Sequence, residues 1–184
     1  MIIYRNFDDI EAEFAACIGF FDGVHKGHQF LIRHLKEEAQ KRGLKSSVVT
    51  FANHPRTLIQ PDYELTLIDT LDQRMQKLDA TGLDACFLLN FTDQIRQLSA
   101  QEFIQNILRK QMHVRLLIIG YDHRFGHNRS EGFDDYVRYG LECGMEVIQE
   151  PVLNDGSGLN YSSSEVRRAL KNGDTELVKK LLGI

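Results

Sequence analysis

Cysteine is scarce in this chain, and the three present do not pair. Cys17, Cys86 and Cys143 are odd in number and widely spaced, and each lies in an apolar segment. That usage excludes a disulfide framework and a zinc site, and reads as small core residues in a reducing, cytoplasmic compartment. An excess of one charge is lacking too. Twenty-two basic against twenty-six acidic residues leave a net charge of −4, which supplies no electrostatic footprint for nucleic acid. No apolar run approaches the roughly 20 residues that a membrane span needs. The opening MIIYRNFDDIEAEF is acidic and lacks a signal-peptide core. Repeats, low-complexity tracts and Pro/Gly/Ser-rich linkers are missing as well. The 184 residues therefore read as one domain, 1–184, long enough to bury a real core.

What the sequence does have is alternation. Apolar runs recur at 15–20, 47–51, 85–91, 116–120 and 146–149, and such near-continuous runs suit strands buried on both faces of a parallel sheet. Helical patterns lie between them. The first carries Phe30, Leu31, Leu35 and Ala39 on one stripe and stops at Gly43. Capping boxes open three others, at Thr70 with Gln73, Ser99 with Glu102, and Ser162 with Glu165. A fourth pattern covers about 133–142, and a short helix at 175–182 follows the last box. This predicts an α/β protein built on an open, doubly wound parallel sheet. Ligands of such sheets bind outside the carboxyl ends of the strands, near the point where strand order reverses. The loops after Phe20, Phe51, Phe91, Gly120 and Gln149 are thus the places to look.

Four of these loops carry chemistry. In GFFDGVHKGH, Gly19, Gly23 and Gly27 permit close backbone approach, and a helix start offers free N–H groups to an anion. His25 and His28, at i and i+3, project from one side of that first turn and suit a phosphate clamp. The spacing also suits metal chelation, and it fits a surface helix start with incidental histidines. It is neither a Walker loop nor a dinucleotide G-x-G-x-x-G. In TFANHPRTL, Pro55 biases His54 toward an extended conformation. In GYDHRFGHNRS, Asp122, His123, Arg124, His127 and Arg129 crowd a strand end. In NYSSSEVRRAL, three serines meet a helix start with Arg167 one turn in; a cap needs only one of them, so a second anion cradle is expected. The two helix starts together suggest a nucleoside triphosphate held by its phosphates. No nucleophile–base pair stands out, which favours direct displacement at phosphorus.

At this point the residues resemble a known family. His25-Lys26-Gly27-His28 matches the H-x-G-H signature of nucleotidylyltransferases, and Ser162 to Arg167 looks like their second motif, [ISV]-S-S-T-x-x-R. GFFDGVHKGH is closer still to the G-N-F-D-G-V-H-x-G-H of prokaryotic bifunctional riboflavin kinase/FMN adenylyltransferases, also called FAD synthetases. TFANHP, LTLIDTLDQRMQKLDATGLD, LSAQEFI and IGYDHRFG match further motifs of that family in order.

The resemblance implies a Rossmann-like nucleotidylyltransferase fold and transfer of AMP from ATP to FMN, giving FAD and pyrophosphate. It implies His25, His28, Ser163 and Arg167 as catalytic residues. Gly19, Phe20, Phe21, Asp22, Gly23, Gly120, Ser162 and Ser164 would complete the ATP side. His54, Pro55, Asp122, Arg124 and Phe125 would border the flavin. Mg²⁺ would be held mainly by the ATP phosphates, with no tightly bound cofactor. The family's C-terminal riboflavin kinase barrel has no counterpart in these residues, so riboflavin phosphorylation is not expected. Four positions depart from the pattern: Phe20 stands for Asn, Asn53 for Pro, His123 for Phe and Ser164 for Thr. Other readings are an H-x-G-H transferase with a different phosphorylated acceptor, or a flavin- or nucleotide-binding module without turnover.

Overall fold

A computed structural model describes residues 1–59, 66–121, 124–127 and 130–184. Six strands, β1 (Ile2–Tyr4), β2 (Phe14–Ile18), β3 (Lys45–Phe51), β4 (Ala85–Leu89), β5 (Val114–Gly120) and β6 (Glu146–Glu150), form one sheet in the order β1-β4-β3-β2-β5-β6. Every pairing is parallel. The chain winds outward from β2 through β3 to β4, then returns to place β5 on the other side of β2. Strand order therefore reverses between β2 and β5, and the GFFDGVHKGH loop leaves β2 at that switch point.

Side chains alternate across the sheet and feed two cores. Ala15, Cys17, Val48, Cys86, Leu116 and Ile118 face α1 (Lys26–Arg42) and α3 (Leu71–Ala80), which contribute Ile32, Leu35 and Leu78. Ala16, Ile18, Val49, Phe87, Leu117 and Ile119 face the other way. They meet Ile104 and Leu108, together with Tyr136 of α6 (Phe133–Glu142). Residues such as Leu35 and Leu78, with no exposed surface, each contribute about 1.5–3 kcal/mol of burial free energy. A third, smaller cluster joins α7 (Ser163–Lys171) to α8 (Thr175–Leu182) through Val166, Ala169 and Leu181. Among the described residues no helix is long and apolar enough to cross a membrane.

The helix boundaries follow local chemistry. Gly43 adopts a left-handed conformation (φ 67°), and its N–H and that of Leu44 close the end of α1 on Ala39. Thr70 and Gln73 form the expected reciprocal box at the start of α3. Ser99 and Glu102 form another at α5 (Ala100–Glu102), which continues as a wider-wound π-helical stretch, Phe103–Gln111.

Some expectations need correction. The buried stripe of α1 is Ile32, Leu35 and Ala39, at i, i+3 and i+7, whereas Phe30 and Leu31 are only half-buried, because the face toward the sheet centres on Ile32. The box at Ser162 is half formed: its hydroxyl accepts from the Glu165 N–H, but the Glu165 carboxylate turns to Arg168. Strands β2 and β4 end two residues before Phe20 and Phe91. The edge strand β1 and the short helices α2 (Pro55–Ile59) and α4 (Asp93–Gln97) give too few residues for periodicity to reveal.

Thr70→Ala removes one half of the capping box and should lower stability by about 1 kcal/mol. Urea denaturation followed by circular dichroism checks this; an unchanged midpoint would show that α3 does not depend on its cap.

Candidate active site

Beyond Ile18 the backbone turns sharply. Phe21, Gly23 and Val24 all have positive φ, at 57°, 82° and 44°. Left-handed backbone at two side-chain-bearing residues is unfavourable and persists only when the surroundings over-determine it. The surroundings here are organised by Asp22, which is 2% exposed. Its carboxylate accepts from the backbone N–H of Ile68 at 3.0 Å and of Asp69 at 3.2 Å, and from Arg167 Nη1 at 2.7 Å. Its carbonyl accepts from Ser163 Oγ at 2.9 Å. One residue thus ties the turn to the start of α7 and to the segment ahead of α3.

The turn delivers His25 to the N-cap of α1, where Nδ1 accepts from the His28 N–H at 3.4 Å. That bond assigns the proton of the neutral ring to Nε2. The two imidazoles stack, with centroids 3.7 Å apart, and the Phe21 ring meets His28 edge-on at 5.0 Å. His28 Nδ1 is buried and has no hydrogen-bond partner among the described residues. Burial, and then the nearby Arg167 guanidinium, lower the pKa of His25 to about 4. Burial, reinforced by His25, holds His28 well below its ordinary value. Both rings are therefore neutral donors at pH 7, not cations. Gly27 lies between them because nothing larger fits. A Cβ there would stand 2.8 Å from the Tyr161 carbonyl oxygen and 3.2 Å from the His25 ring.

Ser162 and Ser163 approach the same place from the far end of the chain. With Gly19, Phe20, Phe21, His25, Gly27, His28 and Gly120 they line a cleft of about 340 Å³, closed on one side by Glu150 and the segment 151–153. The starts of α1 and α7 are adjacent across this cleft. Lys26 lies outside it, with Nζ 5.6 Å from the centre of the Tyr161 ring. Ser164 is exposed on the first turn of α7. A larger groove of about 980 Å³ runs between α1 and α3, but apart from Gly23 it contains none of the sequence candidates. Size does not identify the site here; the convergence of donors does.

His54 arrives from the end of β3, its ring 4.4 Å from that of Phe20, and Pro55 begins α2. Burial lowers the His54 pKa. Arg124 and Phe125 are placed elsewhere: Arg124 donates to the Glu131 carbonyl, while Phe125 stacks on Tyr136 at 4.4 Å. Neither lines the cleft. Asp122, His123 and Arg129 fall outside the described residues. The anchoring part of the Asp22 carboxylate and the burial of Arg74 carry no motif in the sequence. The signal for Arg74 was a cation beside Met75 and Leu78 on the buried stripe of α3.

Residues 8–165 match the family model for FAD synthetase. The bifunctional riboflavin kinase/FMN adenylyltransferase of Pseudomonas fluorescens is 34% identical over 186 residues, covering 100% of this chain and 59% of its own. The protein of that name from Escherichia coli K12 is 34% identical over 166 residues, covering 90% of this chain and 53% of its own. The chain thus spans little more than half the length of these curated relatives. A crystal structure described as a macrolide-efflux protein from Streptococcus pneumoniae superposes with a TM-score of 0.85 at 32% identity, over 99% of this chain and 61% of that one. A Francisella tularensis pantoate–β-alanine ligase, with a TM-score of 0.60 and 18% identity, covers 100% of this chain and 78% of that one and shares the fold.

Three outcomes follow from the geometry. The His25 ring should stay neutral on NMR titration from pH 8 to below 5; a midpoint near 6.5 would refute its burial. Because the unfolded chain takes up this proton near pH 6.5 and the folded chain only near 4, stability should fall as pH drops through that window. Gly27→Ala should push the Tyr161 carbonyl away and destabilise the fold by about 1–3 kcal/mol, as overpacking does; an unchanged urea midpoint would refute the clash.

Proposed function

The chain belongs to the FAD synthetase family, and from that premise we propose that it transfers the adenylyl group of ATP to FMN. An oxygen of the FMN phosphate attacks the α-phosphorus and forms the new P–O bond. The bond from that phosphorus to the β-bridging oxygen breaks, and pyrophosphate leaves with the electron pair. The products are FAD and pyrophosphate.

One observation carries this reading: two neutral imidazoles and a serine-lined helix start converge on a single cleft. A displacement at phosphorus needs donors fixed where charge builds up, and it needs no covalent help from the protein. His25 can offer its Nε2–H, and the orphaned His28 ring has unused hydrogen-bonding capacity inside the wall of the cleft. The α1 and α7 starts add free N–H groups and a favourable dipole for the phosphates. Arg167, now on Asp22, stands one turn into α7 and could reach the outer phosphates. His54, edge-on to the cleft-lining Phe20 ring, would border the flavin side.

Magnesium enters this scheme as part of the MgATP substrate. Among the described residues no group of three or more His, Cys, Asp or Glu side chains could hold a metal ion. The buried Asp22 carboxylate is already engaged by Arg167 and by two N–H groups. The three free cysteines suit a cytoplasmic enzyme.

Incubation with ATP, Mg²⁺ and FMN should yield FAD and pyrophosphate by chromatography. Turnover with a different phosphorylated acceptor but not with FMN would sink the assignment, and so would ATP binding without release of pyrophosphate. His28→Ala should lower kcat by roughly 10²-fold, the usual cost of losing one transition-state donor. An unchanged kcat would return His28 to a purely structural part.

A further inference from the structure

Among the described residues, the largest fully buried side chain is a cation. Arg74, on the first turns of α3, is 2% exposed. Burying a guanidinium is costly unless every part of it is engaged. Its charge has no carboxylate in hydrogen-bond contact among the described residues; Asp22 and Asp69 act on it only through space. It is engaged instead by two backbone carbonyls and a ring. Nη1 donates to the Phe20 carbonyl at 2.7 Å and Nη2 to the Phe51 carbonyl at 2.6 Å, and the guanidinium lies 3.9 Å from the centre of the Phe20 ring.

Those two carbonyls belong to different strand ends. Phe20 follows β2 and opens the loop that carries His25 and His28, whereas Phe51 closes β3 and opens the loop that carries His54. Arg74 is a planar fork bridging the two. The Phe20 ring, with Arg74 on it and His54 edge-on at 4.4 Å, extends the bridge to the acceptor wall. Thr50 Oγ1 donates to the same Phe20 carbonyl at 3.2 Å, which restricts it further. A planar guanidinium suits such a bridge, since it donates in two fixed directions while its face lies on a ring, and an ammonium lacks that planar face.

We propose that Arg74 is a positioning residue that couples the two half-sites, fixing the ATP loop after β2 against the acceptor loop after β3 so that each ligand senses the other. The inference rests on the adenylyl-transfer reading for the identity of the two ligands. A core arginine with no such role would affect stability alone.

The test uses the whole chain and three proteins: wild type, Arg74→Lys and Arg74→Met, each assayed at a temperature well below its own unfolding midpoint. FMN is titrated by flavin fluorescence with and without a non-hydrolysable ATP analogue and Mg²⁺. In wild type the analogue should shift the FMN Kd at least about fivefold, the lower end of ordinary coupling between sites. In Arg74→Met the shift should vanish while each single-ligand Kd stays within about threefold, and kcat should drop about 10²-fold, as small misplacements of reacting groups do. Arg74→Lys should recover part of both. No coupling in wild type, or wild-type coupling and kcat in Arg74→Met, overturns the inference. If Arg74→Met does not fold, Phe20→Leu removes the stack and leaves both carbonyl bonds; an unchanged acceptor KM and coupling in that variant overturn it as well. A wild-type protein that couples the two ligands yet forms no FAD refutes the reaction and leaves the coupling role standing.

Discussion

The site depends on one buried carboxylate. Asp22 is removed from water, a state that costs several kcal/mol for a lone ion. The Arg167 guanidinium and the N–H groups of Ile68 and Asp69 offset that cost. The same arrangement makes it unforgiving, because deleting one partner of a buried pair leaves an uncompensated charge worth about 3–5 kcal/mol. Around this anchor the backbone holds left-handed conformations at Phe21 and Val24 that an isolated chain would avoid. The anchor therefore keeps the loop in the shape that brings His25 to the head of α1.

A consistent electrostatic division results. The full positive charges near the cleft are occupied within the protein: Arg167 on Asp22, Arg74 on two carbonyls, Lys26 over the Tyr161 ring. The donors facing the cleft are neutral, the imidazoles, hydroxyls and helix-start N–H groups, with the Glu150 carboxylate at one side. Such a set is oriented before any ligand arrives and needs little reorganisation as negative charge moves during a phosphoryl-type displacement. Positive potential is supplied from behind the wall, and direct hydrogen bonds from its surface.

Much of this was legible in the sequence, for identifiable reasons. Long apolar runs marked β2 to β6, and the boxes at Thr70 and Ser99 marked helix starts, because those signals are local. The pairing of His25 with His28 was readable from spacing alone. The half-formed box at Ser162 misled, since whether Glu165 turns back or toward Arg168 is decided by the next turn of the helix and not by the motif. Strand β1 escaped notice because three residues carry no period. The roles of Asp22 and Arg74 were hidden for a different reason. Each bonds to backbone atoms of residues 20 or more positions away, and nothing in a linear pattern reports a contact of that kind. For Phe125, a family motif suggested the flavin side; its ring stacks on Tyr136 and meets Phe103 at a tilt, beside the sheet's second core.

Asp22 and Arg167 are 145 residues apart in sequence. Domains form from the N-terminus during synthesis, so a nascent chain can acquire β2, α1 and the neighbouring strands well before α7 emerges from the ribosome. Until then the Asp22 carboxylate lacks its cation and the cleft lacks its second wall. The cleft is consequently completed only when the start of α7 joins the turn after β2. Any ligand that spans both walls will favour the finished domain over every shorter intermediate by mass action.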